Sequence, residues 1–339
     1  MATAEEARVG SEAVSDITTL PILILNLHGR CNCRCTMCDI WKRTESHELS
    51  LQTLHGLRDD LQRLKVKWVV LTGGEPLMHS DFPSVCTFLK SLGIRITLLT
   101  SGLLLERHCK SVCDHVDDCI ISLDGPSAIH DQIRGVPGAC DRIQRATNVI
   151  RGLRPDFTMS ARTTVQKSNF DHLRDTVATA QSLGLASISF LAADVTSTAF
   201  NRNLVWPVQR QNEIALDSRQ VSTLETEIES LIVERALEID SGYIRESPDK
   251  LRRIARHFRA LIEGALPPAP ICNAPWISAV LETDGVVRPC FFHEQIGDIN
   301  QHSLQEVLNK PAAVDFRKAL DVTHNPICRR CVCSLNYKD

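Results

Sequence analysis

The sequence has no surplus of charge, no long apolar run and few aromatic residues, and each shortage narrows what the chain can do. Lys and Arg number 38 against 41 Asp and Glu, a formal net charge of −3. The chain therefore has no general electrostatic reason to bind nucleic acid or an anionic membrane, and neither is expected as a partner. No apolar run approaches the roughly 18 residues that a membrane span requires. Residues 1–20 carry Glu5, Glu6, Glu12 and Asp16 with no basic stretch leading into an apolar core, so they do not read as a signal peptide. They are expected to form a flexible N-terminal segment. Aromatics make up only 5% of the 339 residues, yet 43% are hydrophobic, enough to bury one large α/β core and a smaller module.

Cysteine, by contrast, is abundant. Fourteen cysteines bunched in metal-like spacings, without a secretory signal, argue for a reducing, cytoplasmic setting and for metal ligation over a disulfide framework. Oxygen sensitivity is expected. The densest stretch is Cys31-Asn32-Cys33-Arg34-Cys35-Thr36-Met37-Cys38, directly after the apolar run Ile22–Leu27, which reads as a buried strand. Within it, Cys31-x3-Cys35-x2-Cys38 puts three thiolates on one short loop. Each can hold one iron of a cubane cluster while the fourth iron keeps an open position for a small molecule. A zinc knuckle using all four thiols is the alternative, which the spacing fits poorly.

From Pro21 to about Ala193, six short apolar runs alternate with amphipathic stretches: Ile22–Leu27, Val66–Leu71, Ile94–Leu99, Cys119–Leu123, Thr158–Val165 and Ala186–Leu191. Helices are expected over Asp81–Leu92, Asp141–Leu153 and His172–Leu183. This is the pattern of repeated β-α units around a parallel sheet, and six units fall short of a closed eight-fold barrel. The polar and Gly-rich clusters fall just beyond the C-terminal ends of the strands, where α/β folds place ligands. They are the cysteine loop, Thr72-Gly73-Gly74-Glu75-Pro76, Thr100-Ser101-Gly102, and Asp124-Gly125-Pro126 after Ser122. Gly73 and Gly74 let backbone approach a ligand closely, Glu75 places a carboxylate beside it, and Pro76 fixes the turn.

Cx3Cx2C on the loop after the first strand resembles the signature of the radical S-adenosylmethionine (radical SAM) enzymes. The resemblance implies that Cys31, Cys35 and Cys38 hold a 4Fe-4S cluster whose open iron chelates SAM. Reduction then splits SAM to a 5′-deoxyadenosyl radical that removes hydrogen from substrate. Met37 stands where the family usually has an aromatic residue and is expected to lie against adenine; Cys33 is additional. Gly73-Gly74-Glu75-Pro76 matches the family's GGEP motif, which contacts the amino group of SAM. Ser122-Leu123-Asp124-Gly125 with His130-Asp131 and Arg134-Gly135 resembles the pattern of the branch that carries C-terminal cluster domains. By that analogy Ser122 contacts SAM and Arg134 its carboxylate, though Asp124-Gly125 reads equally well as an ordinary turn and Arg134, separately, as an ordinary surface partner. Ser101 lies in a stretch resembling the family's TNG. The fold implied is a partial (β/α)6 barrel, and the electron source a reductant such as flavodoxin or ferredoxin. His130 lacks a second histidine at ligand spacing and reads as a core or surface residue. Cys86, Cys109, Cys113, Cys119 and Cys140 read as buried thiols.

Residues 201–268 change to two amphipathic helices, through Val221–Ile232 and Leu251–Ile262, with Arg252, Arg253, Arg256 and Arg259 forming a solvated basic flank. Leu266-Pro267-Pro268-Ala269-Pro270 marks a boundary. Beyond it lie Cys272, Cys290, Cys328, Cys331 and Cys333. Asp284-Gly285 is a hairpin signal that folds Cys290 back alongside Cys272, and the Cys328-x2-Cys331 pair completes a four-thiolate site suited to zinc or a fully ligated cluster. The run Cys272-x12-Gly285-x4-Cys290 resembles the start of the SPASM domain of peptide-modifying radical SAM enzymes. Four ligands match its shorter "twitch" relative, implying a single auxiliary 4Fe-4S cluster, with Cys333 a substitute ligand or a bystander. The domains expected are thus 1–20, a core over 21–200, a bridging segment over 201–268 and an iron-sulfur module over 269–339. The function implied is oxidation, dehydrogenation or cross-linking of a peptide, a small polyol or another natural-product intermediate, with the auxiliary cluster relaying an electron. The alternative is a non-catalytic iron-sulfur or zinc protein that senses redox state or scaffolds an assembly.

Overall fold

The computed structural model describes residues 16–44, 46–202 and 204–338. Six parallel strands follow the six apolar runs: β1 (Ile22–His28), β2 (Trp68–Gly73), β3 (Arg95–Thr100), β4 (Asp118–Ser122), β5 (Thr158–Val165) and β6 (Ile188–Ala192). Helices Phe82–Ser91, Leu105–His115, Ala139–Leu153 and Leu173–Ser182 make crossovers between them. The sheet stays open, with β6 at one edge, as the six-unit count predicts.

Alternation along each strand divides the core in two. Leu23, Leu25, Leu27, Val69, Leu71, Ile96, Leu98, Cys119 and Ile121 are fully buried beneath the helices. Their neighbours Ile22, Ile24, Val70, Leu99 and Ile120 face the hollow of the sheet instead. A parallel sheet covered on both sides accounts for such near-continuous apolar runs.

The far edge is not closed by a separate body. β7 (Ser278–Leu281) pairs parallel to β1, Ile22 opposite Ser278, and β8 (Val286–Arg288) and β9 (Gly297–Asp298) continue antiparallel. The nine strands run β6-β5-β4-β3-β2-β1-β7-β8-β9. Gly285, at φ +94°, makes the expected turn between β7 and β8. The C-terminal thiols are therefore fixed to the same sheet as the N-terminal loop.

The amphipathic pair is present as helices Ser218–Glu234 and Pro248–Glu263. Arg252 and Arg259 of the basic flank cross to Glu229 and Glu225 at 2.7 and 2.6 Å. Arg253 instead reaches the carbonyls of Pro268 and Cys331, both at 3.3 Å. Arg329 holds the proline-rich boundary through the carbonyls of Leu266 and Pro267, both at 2.9 Å. Of the segment expected to be flexible, residues 1–15 lie outside the described ones. Ile17 and Leu20 are buried, and the Ile17 N–H donates to Asn309 at 2.7 Å. Among the described residues no helix is long and apolar enough to cross a membrane.

Candidate active site

The cysteine loop leaves β1 and is stitched to its neighbours by backbone. Gly74 N–H donates to His28 O at 2.8 Å and Glu75 N–H to Arg30 O at 2.9 Å, while Arg34 and Thr36 N–H donate to the carbonyls of Arg134 and Ile133 at 2.8 and 3.0 Å. A Cβ on Gly74 would lie 2.0 Å from Arg30 O. The glycine pair thus allows close approach of the cysteine loop, because the two strand ends meet there.

One cavity of about 610 Å³ opens at the C-terminal ends of the strands. Cys31, Cys35, Cys38, Met37, Gly73, Gly74, Ser101, Ser122 and Arg134 all line it. Glu75 and Pro76 do not; both are buried. The Glu75 carboxylate accepts from Leu77 N–H at 3.1 Å, Thr100 Oγ1 at 2.8 Å, and Ser101 N–H and Oγ at 2.8 and 2.6 Å. Burial pushes its pKa up, against these bonds. It fixes the β3 loop, and with it the Ser101 hydroxyl, which also lies 3.0 Å from the Asn32 side-chain amide.

Arg134 is buried, 2.6 Å from Asp124 and 3.6 Å from Cys35 Sγ. Cys33 and Cys35 share a hydrogen bond that, with the Arg134 charge, lowers the Cys35 thiol and so favours the thiolate a metal requires. Cys33 is buried among Cys31 and Cys35 and is raised by its hydrogen bonds to them. Burial pushes Cys38 up to about 12. His130 lies in the core, its Nδ1 accepting from Asp124 N–H at 3.1 Å.

The end of the loop is held by the segment after β6, which carried no signal in the sequence. Arg202 pairs with Asp194 at 2.6 Å, donates to Met37 O at 3.2 Å and stacks 3.8 Å over Trp206, whose indole donates to Asp39 at 2.6 Å. Met37 packs against the small core of Ala193, Val195, Trp206 and Ile214 while also lining the cavity. Asn169, equally unmarked, holds the Asp124 carbonyl at 2.8 Å.

A second cavity, of about 360 Å³, lies within the hollow of the sheet. Cys272, Cys290, Cys328, Cys331 and Cys333 line it. Asn273 draws Cys272 to the tail, its N–H donating to Leu335 O at 2.8 Å and its side chain to Tyr337 O at 2.7 Å. His293 Nε2 lies 3.3 Å from Cys328 Sγ. Cys333 borders both cavities, together with Arg162, Phe291, Phe292 and His293. All fourteen cysteines are free thiols. Among the described residues no three ligating side chains converge on a point for one ion. Both donor sets are soft sulfur, the chemistry that iron-sulfur clusters take.

Comparison with known proteins agrees with this arrangement. The model of the radical SAM superfamily matches residues 25–180, and that of the SPASM iron-sulfur cluster-binding domain matches 272–332. An AdoMet-dependent heme synthase of Oleidesulfovibrio alaskensis is 32% identical over 162 residues, 46% of this chain and 41% of the relative. One of Methanosarcina barkeri is 29% identical over 58% of this chain and 60% of the relative. A PqqA peptide cyclase of Granulibacter bethesdensis is 25% identical over 57% and 53%. The chain thus spans roughly half the length of the curated relatives it matches. Among solved structures, Streptococcus suis SuiB bound to precursor peptide SuiA superposes with a TM-score of 0.64 at 13% identity, over 94% of this chain and 72% of that one. The enzyme anSMEcpe with bound AdoMet gives 0.63 at 17%, over 88% and 83%. These likenesses show the fold. The two matched domains, one holding the three-cysteine loop beside the cavity of about 610 Å³ and the other the second thiol set on the same sheet, place the chain in the radical SAM superfamily, in the branch that carries a SPASM iron-sulfur domain and binds 4Fe-4S clusters and SAM.

Proposed function

We propose that this radical SAM enzyme oxidises a substrate held between its two thiol sets. One observation carries the reading: the cavity of Cys31, Cys35 and Cys38 and that of Cys272, Cys290, Cys328 and Cys331 share Arg162, Phe291, Phe292 and His293 as wall. When bound, a 4Fe-4S cluster on Cys31, Cys35 and Cys38 would supply, with SAM, the chemistry that removes hydrogen from substrate, and one auxiliary cluster on the C-terminal thiols would supply an electron acceptor. Met37, Gly73, Gly74, Ser101, Ser122 and Arg134 hold SAM against the loop, Arg134 sharing its charge with Asp124. Glu75 acts through Ser101. Cys272, Cys290, Cys328 and Cys331 ligate the auxiliary cluster, and full ligation suits electron relay better than direct substrate coordination.

The outcome is dehydrogenation or cross-linking, with flavodoxin or ferredoxin as reductant. A peptide is the first substrate class, supported by the PqqA peptide cyclase relative and by the fold shared with peptide-bound SuiB. The heme synthase relatives favour a second reading, in which the substrate is a small molecule. Residues 21–200 serve as the core, 201–268 as the bridge and 269–339 as the auxiliary module.

The test is anaerobic reconstitution followed by dithionite and SAM. An enzyme yields 5′-deoxyadenosine and methionine; a redox sensor or scaffold yields neither. Cys35→Ala abolishes cleavage, whereas Cys328→Ala lowers substrate turnover more than it lowers SAM cleavage. A colourless anaerobic protein with zinc on Cys31, Cys35 and Cys38 overturns the reading.

A further inference from the structure

Among the arginines lining the cavity beside the cysteine loop, Arg134, Arg202 and Arg288 each meet a carboxylate, at 2.6, 2.6 and 3.4 Å. Arg43, at the rim, is tied to Asn201 at 2.7 Å. Arg162 stands apart. It projects from the middle of β5, between Ser160 and Thr164 on the face that turns toward the hollow, and borders both cavities. Among the described residues its side chain has one hydrogen bond, to Ser189 Oγ at 3.4 Å, and no ion pair.

Glu246, whose carboxyl feels the Arg162 charge, forms no ion pair with it. Glu246 lines the second cavity and accepts from Phe190 N–H at 2.9 Å, and burial pushes its pKa up to about 7. It is therefore only partly ionised near neutral pH. A half-buried guanidinium without a firm counter-ion carries a desolvation cost that an incoming anion repays. A planar fork suits a carboxylate, which it can hold through two parallel bonds. Ile24, Val70, Leu99, Leu191 and Phe291 give the same cavity an apolar part of its wall, beside the thiols and Glu246.

We propose that Arg162 is the substrate anchor of this chamber, binding a carboxylate on a substrate whose body is apolar. The proposal rests on the chamber being the substrate site; it adds the chemical class of the group recognised. Arg162 is a positioning residue, holding the acid end so that the remainder of the substrate reaches the N-terminal loop.

The test uses the fully reconstituted, SAM-loaded protein in anaerobic calorimetry, with phenylbutyrate, its amide phenylbutanamide, and inorganic phosphate as probes. The wild type binds the acid at least about tenfold more tightly than the amide, equivalent to about 1.4 kcal/mol. Arg162→Gln erases that preference, and Arg162→Lys, which keeps charge but loses the fork, retains part of it. Iron content and circular dichroism confirm that both variants fold. Equal binding of acid and amide by the wild type overturns the proposal, as does a preference for phosphate over the acid. So does an Arg162→Gln variant that weakens SAM binding as much as acid binding, which assigns the guanidinium to SAM. A wild type that prefers the acid but never cleaves SAM sinks the proposed activity and leaves the anchor standing.

Discussion

Replacing Gly74 with alanine tests whether the β2 turn exists to seat the cysteine loop. The added Cβ would lie 2.0 Å from Arg30 O, 2.3 Å from its carbonyl carbon and 2.9 Å from Cys31 N, where 3.0 Å is the closest approach real Cβ atoms make. All three are backbone atoms, so no side chain can swing aside, and the two segments must part by about 1 Å. Overpacking of this kind costs about 1–3 kcal/mol. The bonds from Gly74 to His28 and from Glu75 to Arg30 are stretched as well, adding about 1 kcal/mol each. Because the displaced residue adjoins Cys31, the larger consequence is chemical: a shift of about 1 Å in reacting geometry lowers a rate by roughly a hundredfold. The assay is 5′-deoxyadenosine release under dithionite, alongside the SAM-induced change in the electron paramagnetic resonance signal, which reports the cluster with an open iron. Gly56→Ala is the control, since a Cβ there meets nothing within 4 Å; it leaves both readouts unchanged. If Gly74→Ala folds and cleaves SAM within about threefold of the wild type, the contact does not position the loop and the reasoning fails.

Two further outcomes follow from buried charges. Asp124→Asn leaves Arg134 without its partner in a site where the Asp124 side chain is 0% and the Arg134 side chain 10% exposed; the expected loss is about 3–5 kcal/mol in urea unfolding. Adding Arg134→Gln to that variant restores part of the loss, and no restoration means that the two are not coupled. Glu246 has a folded pKa raised from 4.5 to about 7 by burial, so the stability linked to its protonation is fully present below about 4.5 and lost as pH rises through about 7. Between pH 5 and pH 8 the wild type should lose on the order of 3 kcal/mol relative to Glu246→Gln. Parallel unfolding curves for the two proteins across that range would count against it.

What the sequence discloses depends on whether a residue's role is local. The six strands lie within about two residues of the apolar runs, because a parallel sheet buried on both faces writes itself as continuous hydrophobic segments. Clustering of polar residues after those strands likewise locates the cavity, since chain order alone puts every βα loop at one end. The pairing of β7 with β1 is another matter: 256 positions separate Ile22 from its partner Ser278, and no local pattern encodes a parallel partner. Asp284-Gly285 announces the hairpin but not where it docks. The Asp194–Arg202 clamp is invisible for a similar reason, its meaning lying in the Met37 carbonyl that it reaches.

Glu75 and Arg162 mark the two ways in which a charge can mislead. Glu75 sits in a motif that invites a ligand role, yet its four donors all come from the protein, so the carboxylate is spent on Thr100, Ser101 and Leu77. Arg162 sits in an unremarkable strand, but period-2 reading separates Met159, Ala161 and Val165, all buried, from Ser160, Arg162 and Thr164. A strand whose second face is polar, beside the apolar strand residues Ile24, Val70 and Leu99 of the hollow, needs something polar to meet. Glu75 has found its partners within the fold, whereas among the described residues Arg162 has one long bond to Ser189 and no ion pair, and the second condition is the one that leaves binding energy for a ligand.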